Sequence, residues 1–217
     1  MISPQTALEK VHSNDNVFIH SAAAIPNALV NALAARKDEL ENVNIYQLHT
    51  EGNAPYACED CAGSFNIYAF FVGKSTREAV QSHRGSYIPI FLSEIPYLFK
   101  HDVIPIDVAL ISVSPPDKHG YCSLGPSVDI TLSAVKKAKT VIAQVNKFMP
   151  RSHGDGLIHT DQINFMVNDD EPLPQIHSRP LSETEQLIGE NIAELIEDGS
   201  TLQMGCLLYT SPSPRDA

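Results

Sequence analysis

Two short apolar runs separated by a helix-sized interval constrain this chain's fold more than any other feature. Val108-Ala109-Leu110-Ile111-Ser112-Val113 and Thr140-Val141-Ile142-Ala143-Gln144-Val145-Asn146 have little polar alternation, which is the pattern of a strand covered on both faces. Pro115-Pro116-Asp117 stops the first run, Lys118 to Tyr121 makes a tight turn, and Ser123-Leu124-Gly125 leads on with almost no bulk. From Ile130 to Lys139 the apolar positions 130, 132, 134, 135 and 138 share one helical face, with Asp129 as the expected N-cap. Strands of this kind joined by a helix build a parallel sheet. The expected fold is therefore α/β: an open, mostly parallel sheet with flanking helices. Ligands in such sheets bind beyond the carboxyl ends of the strands, where the second run opens into the polar loop Asn146-Lys147-Phe148-Met149-Pro150-Arg151.

The rest of the chain follows the same grammar. A short helix is expected from Thr6 to His12, a strand from Val17 to His20, a small-residue bend at Ser21 to Ala24, and a helix from Asn27 to Leu40 opened by Pro26. Val43 to Leu48 then completes a βαβ unit. Phe65 to Val72 and Ile163 to Val167 read as further strands, Ser75 as a cap for a helix through Gln81 with Glu78 at capping-box spacing, and Ile95 to Lys100 as a short helix. Gln175 to Pro180 reads as extended. Leu181 to Glu197 reads as an amphipathic helix capped by Ser182 and Glu185, its buried stripe formed by Leu187, Ile188, Ile192, Leu195 and Ile196.

A chain of 217 residues buries roughly 70% of its unfolded surface and needs no disulfide staple. Four cysteines and no secretory or membrane-length apolar run point to a soluble protein of a reducing, cytoplasmic compartment. The net charge of −11 argues against a general nucleic-acid binder, which needs clustered Lys and Arg.

Three motif fragments fail on chemistry. Cys58-Glu59-Asp60-Cys61 has no second pair to complete a zinc site, and it lies in a polar loop rather than opening a helix as a thioredoxin-like pair should. Gly73-Lys74-Ser75 lacks the upstream glycine of a phosphate loop, Tyr68 standing in its place. His119, His153 and His159, with Asp117 and Asp155 nearby, match no recognised zinc spacing. Arg77, Arg84 and Glu94 are expected to form structural ion pairs.

The segment D-x-x-G-Y-C-S-x-G-x-S-V-D from Asp117, then V-I-A-Q-V-N-x-x-M-P-R-x-x-G-D and Ile158-His159, resembles the acetyl-CoA hydrolase/transferase family, and within it the 4-hydroxybutyrate CoA-transferase branch. The resemblance runs from Thr6 to Gly205. It implies two tandem α/β halves with the active site between them, no tightly bound cofactor, coenzyme A as a substrate, and a homo-oligomer with acyl-CoA and a short-chain carboxylate as partners. Residues 1–197 would be the first half. Residues 198–205, which echo the segment from Asp15 to Ser21, would begin the second.

The same resemblance implies CoA transfer through a glutamate in an H-[ST]-E-M segment of the second half, which this sequence lacks, as it lacks the glycine-rich CoA-binding segment. Glu51, after His49-Thr50, is only superficially similar, because no Met follows it. Residues 206–217 have no helical period and carry two prolines where the family continues into a helix, so they read as foreign sequence joined to a truncated frame. Catalytic residues are expected to be absent. The first half's share of the cleft would comprise Gln203 and Gly205, Asn146, Met149, Pro150 and Arg151, and Ser123 and Gly125. Gln203 and Asn146 read equally well as substrate contacts or as turn structure, and Arg151 as a carboxylate or phosphate partner or, preferentially, as a partner of Asp155. The acceptor acid, and transfer as against hydrolysis, are left open. The competing reading is a non-catalytic α/β subunit that pairs with a separate catalytic chain.

Overall fold

A computed structural model of the chain describes residues 2–175 and 180–203. It divides into two units, Met1–Pro174 and Gln175–Ala217. In the first, the chain runs through α1 (Pro4–Leu8), β1 (Asn16–Ile19), α2 (Asn27–Ala34), β2 (Val43–Gln47), β3 (Phe65–Ala69), α3 (Arg77–Gln81), β4 (Gly85–Tyr87) and α4 (Ile95–Lys100). It continues through β5 (Val108–Val113), β6 (Tyr121–Ser123), α5 (Thr131–Lys137), β7 (Thr140–Val145), β8 (Leu157–His159) and β9 (Phe165–Asn168). Seven strands form one sheet in the order β4-β3-β2-β1-β5-β7-β9. All its pairings are parallel. β6 and β8 make a separate antiparallel ladder in which Cys122 faces Ile158. This is the expected α/β architecture.

Side chains alternate across the sheet and fill two cores. Val17, Ile19, Val108 and Leu110 join Leu8, Leu29 and Leu33 on one face. Phe18, Ala109, Ile111 and Val113 join Phe99, Ala134 and Val135 on the other. All six residues of β5 are buried, which is why its sequence shows no polar alternation. Each large apolar side chain buried in these layers contributes about 1.5–3 kcal/mol, so the central strands β1, β5 and β7 anchor the loops that leave their ends.

Several boundaries differ from the sequence expectation. α1 starts earlier because Ser3 Oγ accepts the Thr6 N–H (3.1 Å) and Pro4 stands in the first turn. α2 ends at Ala34 and gives way to turns; there Arg36 donates to the carbonyls of Leu8 and Val11. The expected cap at Ser75 is not formed, because its hydroxyl bonds Thr50 Oγ1 (2.9 Å) and the helix begins at Arg77. Arg84 pairs with Glu78 (3.5 Å), whereas Glu94 caps the turn at Phe91.

In the second unit, α6 (Glu183–Ala193) carries the predicted capping box: Glu185 N–H donates to Ser182 Oγ (3.3 Å) and Ser182 N–H to Glu185 Oε2 (2.8 Å). Its apolar stripe corrects the sequence expectation. Leu187, Ile188, Ile192, Leu195 and Ile196 are all exposed, from 42% at Ile196 to 82% at Leu195. Periodicity shows that a helix face is apolar, not that its cover lies in the same chain. Residues 198–203 form a turn followed by chain without regular secondary structure. Much of the extended segment expected over 175–180, Gly205, and the tail 206–217 lie outside the described residues.

Candidate functional site

The strand order reverses its direction of growth between β1 and β5, and in open parallel sheets the crevice at that switch point, beyond the strands' carboxyl ends, is where ligands bind. β1 runs out there into His20 and Ser21, both fully buried. The Ser112 N–H donates to His20 Nδ1 (3.2 Å), which leaves Nε2–H to donate to the Ser127 carbonyl (2.7 Å). Burial holds the imidazole below its usual pKa, outweighing the Ser127 bond and the nearby Asp129 carboxylate. Ser21 donates to Asp129 Oδ2, and Asp129 Oδ1 accepts the N–H groups of Ile130 (2.6 Å) and Thr131 (3.2 Å). Asp129 is not the N-cap expected from sequence: α5 begins at Thr131 with Ile130 in the cap position, and the Asp129 carboxylate, one residue earlier, instead ties the 124–130 loop to β1.

Around Ser123 and Gly125 the chain is packed closely. Ser123 Oγ accepts the N–H groups of Gly125 (3.1 Å) and Ser152 (3.0 Å), and Ser152 Oγ donates to the Gly125 carbonyl (2.8 Å). Gly125 has φ +71°, and a Cβ there would lie 2.0 Å from Met149 Sδ; no side chain fits while Met149 holds its place. Met149 is buried. The fold therefore brings Ser123, Gly125 and Met149 together, three of the residues expected to share the cleft wall.

The other expected site residues have different surroundings. Asn146 is buried and committed internally: Nδ2 donates to the Glu171 carbonyl (2.6 Å), and Oδ1 accepts from Phe148 N (2.9 Å) and Glu171 N (3.3 Å). It shapes the turn after β7. Arg151 pairs with Asp117 (2.6 Å) and donates to the Tyr121 carbonyl (3.1 Å), rather than meeting Asp155. The β6–β8 ladder carries Asp117 and its turn toward Arg151 across a separation in sequence that spacing alone does not show. Pro150 is exposed beside these groups; Gln203 is exposed within the second unit. Glu51 Oε1 lies 4.0 Å from His49 Nε2, beyond the end of β2.

Sequence reasoning missed the polar residues at the ends of β1 and β2. Besides His20 and Ser21, Gln47 is fully buried; its Oε1 accepts from the Tyr56 hydroxyl, and its Nε2 has no hydrogen-bond partner among the described residues. Burial raises the Tyr56 phenol pKa. The available signal was a polar pair immediately following an apolar strand, His20-Ser21 after Val17 to Ile19. His159 Nε2 donates to the His119 carbonyl (3.0 Å). Among the described residues, no three His, Cys, Asp or Glu side chains converge as metal ligands, and no helix is long and apolar enough to cross a membrane. Chemically, the end of β1 is a bonded polar network in which His20, Ser21 and Asp129 hold the 124–130 loop against the strand.

The model of the acetyl-CoA hydrolase/transferase N-terminal domain matches residues 1–177. The chain is 46% identical over 193 residues to a succinyl-CoA:acetate/propanoyl-CoA:succinate CoA transferase of Fasciola hepatica, spanning 88% of this chain and 40% of that protein. It is 44% identical over 205 residues to the 4-hydroxybutyrate coenzyme A transferase of Clostridium kluyveri, spanning 94% and 48%. Among solved structures, RipA from Yersinia pestis superposes with a TM-score of 0.83 at 28% identity, over 94% of this chain and 50% of that one. A 4-hydroxybutyrate CoA-transferase from Porphyromonas gingivalis gives 0.75 at 32% identity, over 94% and 47%. The chain spans about half the length of the curated relatives it matches.

Proposed function

Since the chain belongs to the acetyl-CoA hydrolase/transferase family, we propose that it is the front half of an enzyme that moves coenzyme A between an acyl-CoA and a short-chain carboxylate such as acetate or 4-hydroxybutyrate. The observation that carries this reading is 44% identity, over 94% of the chain, to a 4-hydroxybutyrate coenzyme A transferase. The curated relatives described above are transferases by name, which favours transfer over hydrolysis. On this reading residues 1–197 are the first half, 198–205 begin the second, and 206–217 are foreign to the protein. The complete enzyme is a cytoplasmic homo-oligomer with coenzyme A as substrate and no tightly bound cofactor.

The reaction runs through a glutamate of the second half. Its carboxylate attacks the thioester carbonyl and expels CoA thiolate, leaving a mixed anhydride. The thiolate then attacks the glutamyl carbonyl, releasing the first acid and forming glutamyl-CoA. A second carboxylate attacks that thioester, expelling the thiolate and forming a second mixed anhydride; the thiolate then attacks the anhydride's acyl carbonyl, giving the new acyl-CoA and freeing the glutamate carboxylate. Each step exchanges one acyl bond for another, the advantage of a covalent route. From the first half, Ser123, Gly125 and Met149 contribute to substrate binding, with Pro150 and Arg151 beside them; Gln203 and Gly205, at the start of the second half, are its further substrate-binding residues. Asn146 acts by positioning the loop. Lacking the glutamate, the 217-residue chain alone is inactive.

Sequencing the source gene past the codon for Gly205 tests this. A small-residue turn, an Ile-Pro and a His-(Ser/Thr)-Glu-Met segment are expected. A gene that itself encodes Cys206 to Ala217 and then stops would refute it and leave a stand-alone binding subunit.

A further inference from the structure

The loop after β2 carries two thiols that the transfer chemistry does not use. Pro55–Ala57 and Glu59–Cys61 are successive 3₁₀ turns, with Cys58 between them. The pair lies in the polar loop expected from sequence, and these turns give that loop its shape. The second turn brings Cys58 Sγ and Cys61 Sγ to 2.9 Å, in direct contact. Cys61 N–H donates to the Cys58 carbonyl (3.2 Å), and Cys61 Sγ to the Pro55 carbonyl (3.3 Å). Arg84 braces the loop from outside by donating to the Ala57 carbonyl (2.7 Å). The two cysteines differ in access: Cys58 is exposed, whereas Cys61 is 2% exposed. No third ligand joins them among the described residues, so the pair lacks the set a structural zinc needs. Reaching the S–S bond length of about 2.0 Å requires the sulfurs to approach by less than about 1 Å.

We propose that Cys58 and Cys61 form a reversible dithiol–disulfide pair, oxidised by peroxide or by a small-molecule disulfide and restored by a thiol reductant. With peroxide, the Cys58 thiolate attacks one oxygen; the O–O bond breaks, water leaves, and Cys58 becomes a sulfenic acid. The Cys61 sulfur then attacks the Cys58 sulfur, forming the S–S bond and releasing a second water, so two thiols and one peroxide give one disulfide and two waters. With a small disulfide, Cys58 displaces one thiolate to form a mixed disulfide, and Cys61 displaces the other. The exposed sulfur meets the oxidant, and the buried sulfur resolves the adduct. Because the same loop carries Tyr56 to its bond with Gln47, the linkage pins the segment that closes over the end of β2.

The purified 217-residue chain provides the test. It is equilibrated with oxidised glutathione or hydrogen peroxide, denatured, alkylated with iodoacetamide and digested with trypsin. The fragment Asp38–Lys74 contains both thiols and no internal Lys or Arg. It is expected two hydrogens lighter and unalkylated, and to take up two alkyl groups after dithiothreitol, while the buried Cys122 is alkylated in both samples. Cys61→Ser is expected to arrest at a Cys58–glutathione mixed disulfide, and Cys58→Ser to leave Cys61 unmodified. Two alkyl groups on Asp38–Lys74 after oxidation, or Cys58 joined to Cys206 or to a second chain, would overturn the proposal. The wild-type result decides even where a variant fails to fold.

Discussion

Replacing Gly125 by alanine probes how closely the two loops of the site are built against each other. Two costs arise at this position. Gly125 sits at φ +71°, and an L-residue in the left-handed region loses about 1–2 kcal/mol. The new Cβ would also lie 2.0 Å from Met149 Sδ and 3.0 Å from its Cγ. Met149 is buried, so it must be displaced within a packed interior, at about 1–3 kcal/mol. The sum is about 2–5 kcal/mol. Gly154→Ala separates the two terms, because Gly154 has φ +88° but nothing lies within 4 Å of the place its methyl would take; it should cost only about 1–2 kcal/mol. Urea unfolding followed by circular dichroism measures both, since the chain has no tryptophan. Met149→Ala removes the obstruction and leaves a space that the alanine at 125 partly fills, so the double variant should be less destabilised than the sum of the singles. Equal costs for Gly125→Ala and Gly154→Ala, or strict additivity with Met149→Ala, would refute the packing argument.

Three further outcomes are expected. Asn146→Ala strips Glu171 and Phe148 of their side-chain partners and should cost about 1–3 kcal/mol, with faster hydrogen exchange at those two amides; unchanged exchange would show that Asn146 does not hold the turn. Asp117 has its pKa lowered by the Tyr121 N–H and, further down in importance, by the His119 N–H and Arg151. A depressed folded-state pKa stabilises above the unfolded value of about 3.9 and is lost as pH falls through the folded value. Arg151→Ala should therefore raise the Asp117 pKa towards its unfolded value and shrink the stability that Asp117 contributes above it, read by carboxyl NMR titration, and an unmoved Asp117 titration would contradict the pairing. Replacing Ile188 and Ile192 together by glutamate should reduce self-association in sedimentation velocity, because both lie on the exposed stripe of α6; unaltered association would show that the stripe is not its cause.

The parallel sheet was legible because β5 and β7 are mostly apolar without polar alternation and the interval between them contains a helix. The capping box of α6 was legible because Ser182 and Glu185 act within one turn. What sequence could not supply was partnership at a distance. Ser75 looks like a cap until Thr50 is seen beside it, and Arg151 pairs with Asp117 only because the β6–β8 ladder folds the 114–123 turn back. His20 and Ser21 are ordinary polar residues until the strand order places them at the switch between β1 and β5. The stripe of α6 was recognised as apolar, but its exposure depends on what covers it. The contact of Cys58 and Cys61 depends on a 3₁₀ turn that a polar four-residue spacing does not announce.

The most direct test of the central claim compares CoA transfer by two polypeptides: the purified 217-residue chain, and the source gene's product with its frame continued past Gly205. Each is given acetyl-, succinyl-, butyryl- or 4-hydroxybutyryl-CoA with the opposing carboxylates, and new acyl-CoA is followed by chromatography. A front half without the second-half glutamate should show no turnover, and the continued product should turn over at least one donor–acceptor pair. Turnover by the chain alone, or none by the continued product with any pair, would contradict that claim.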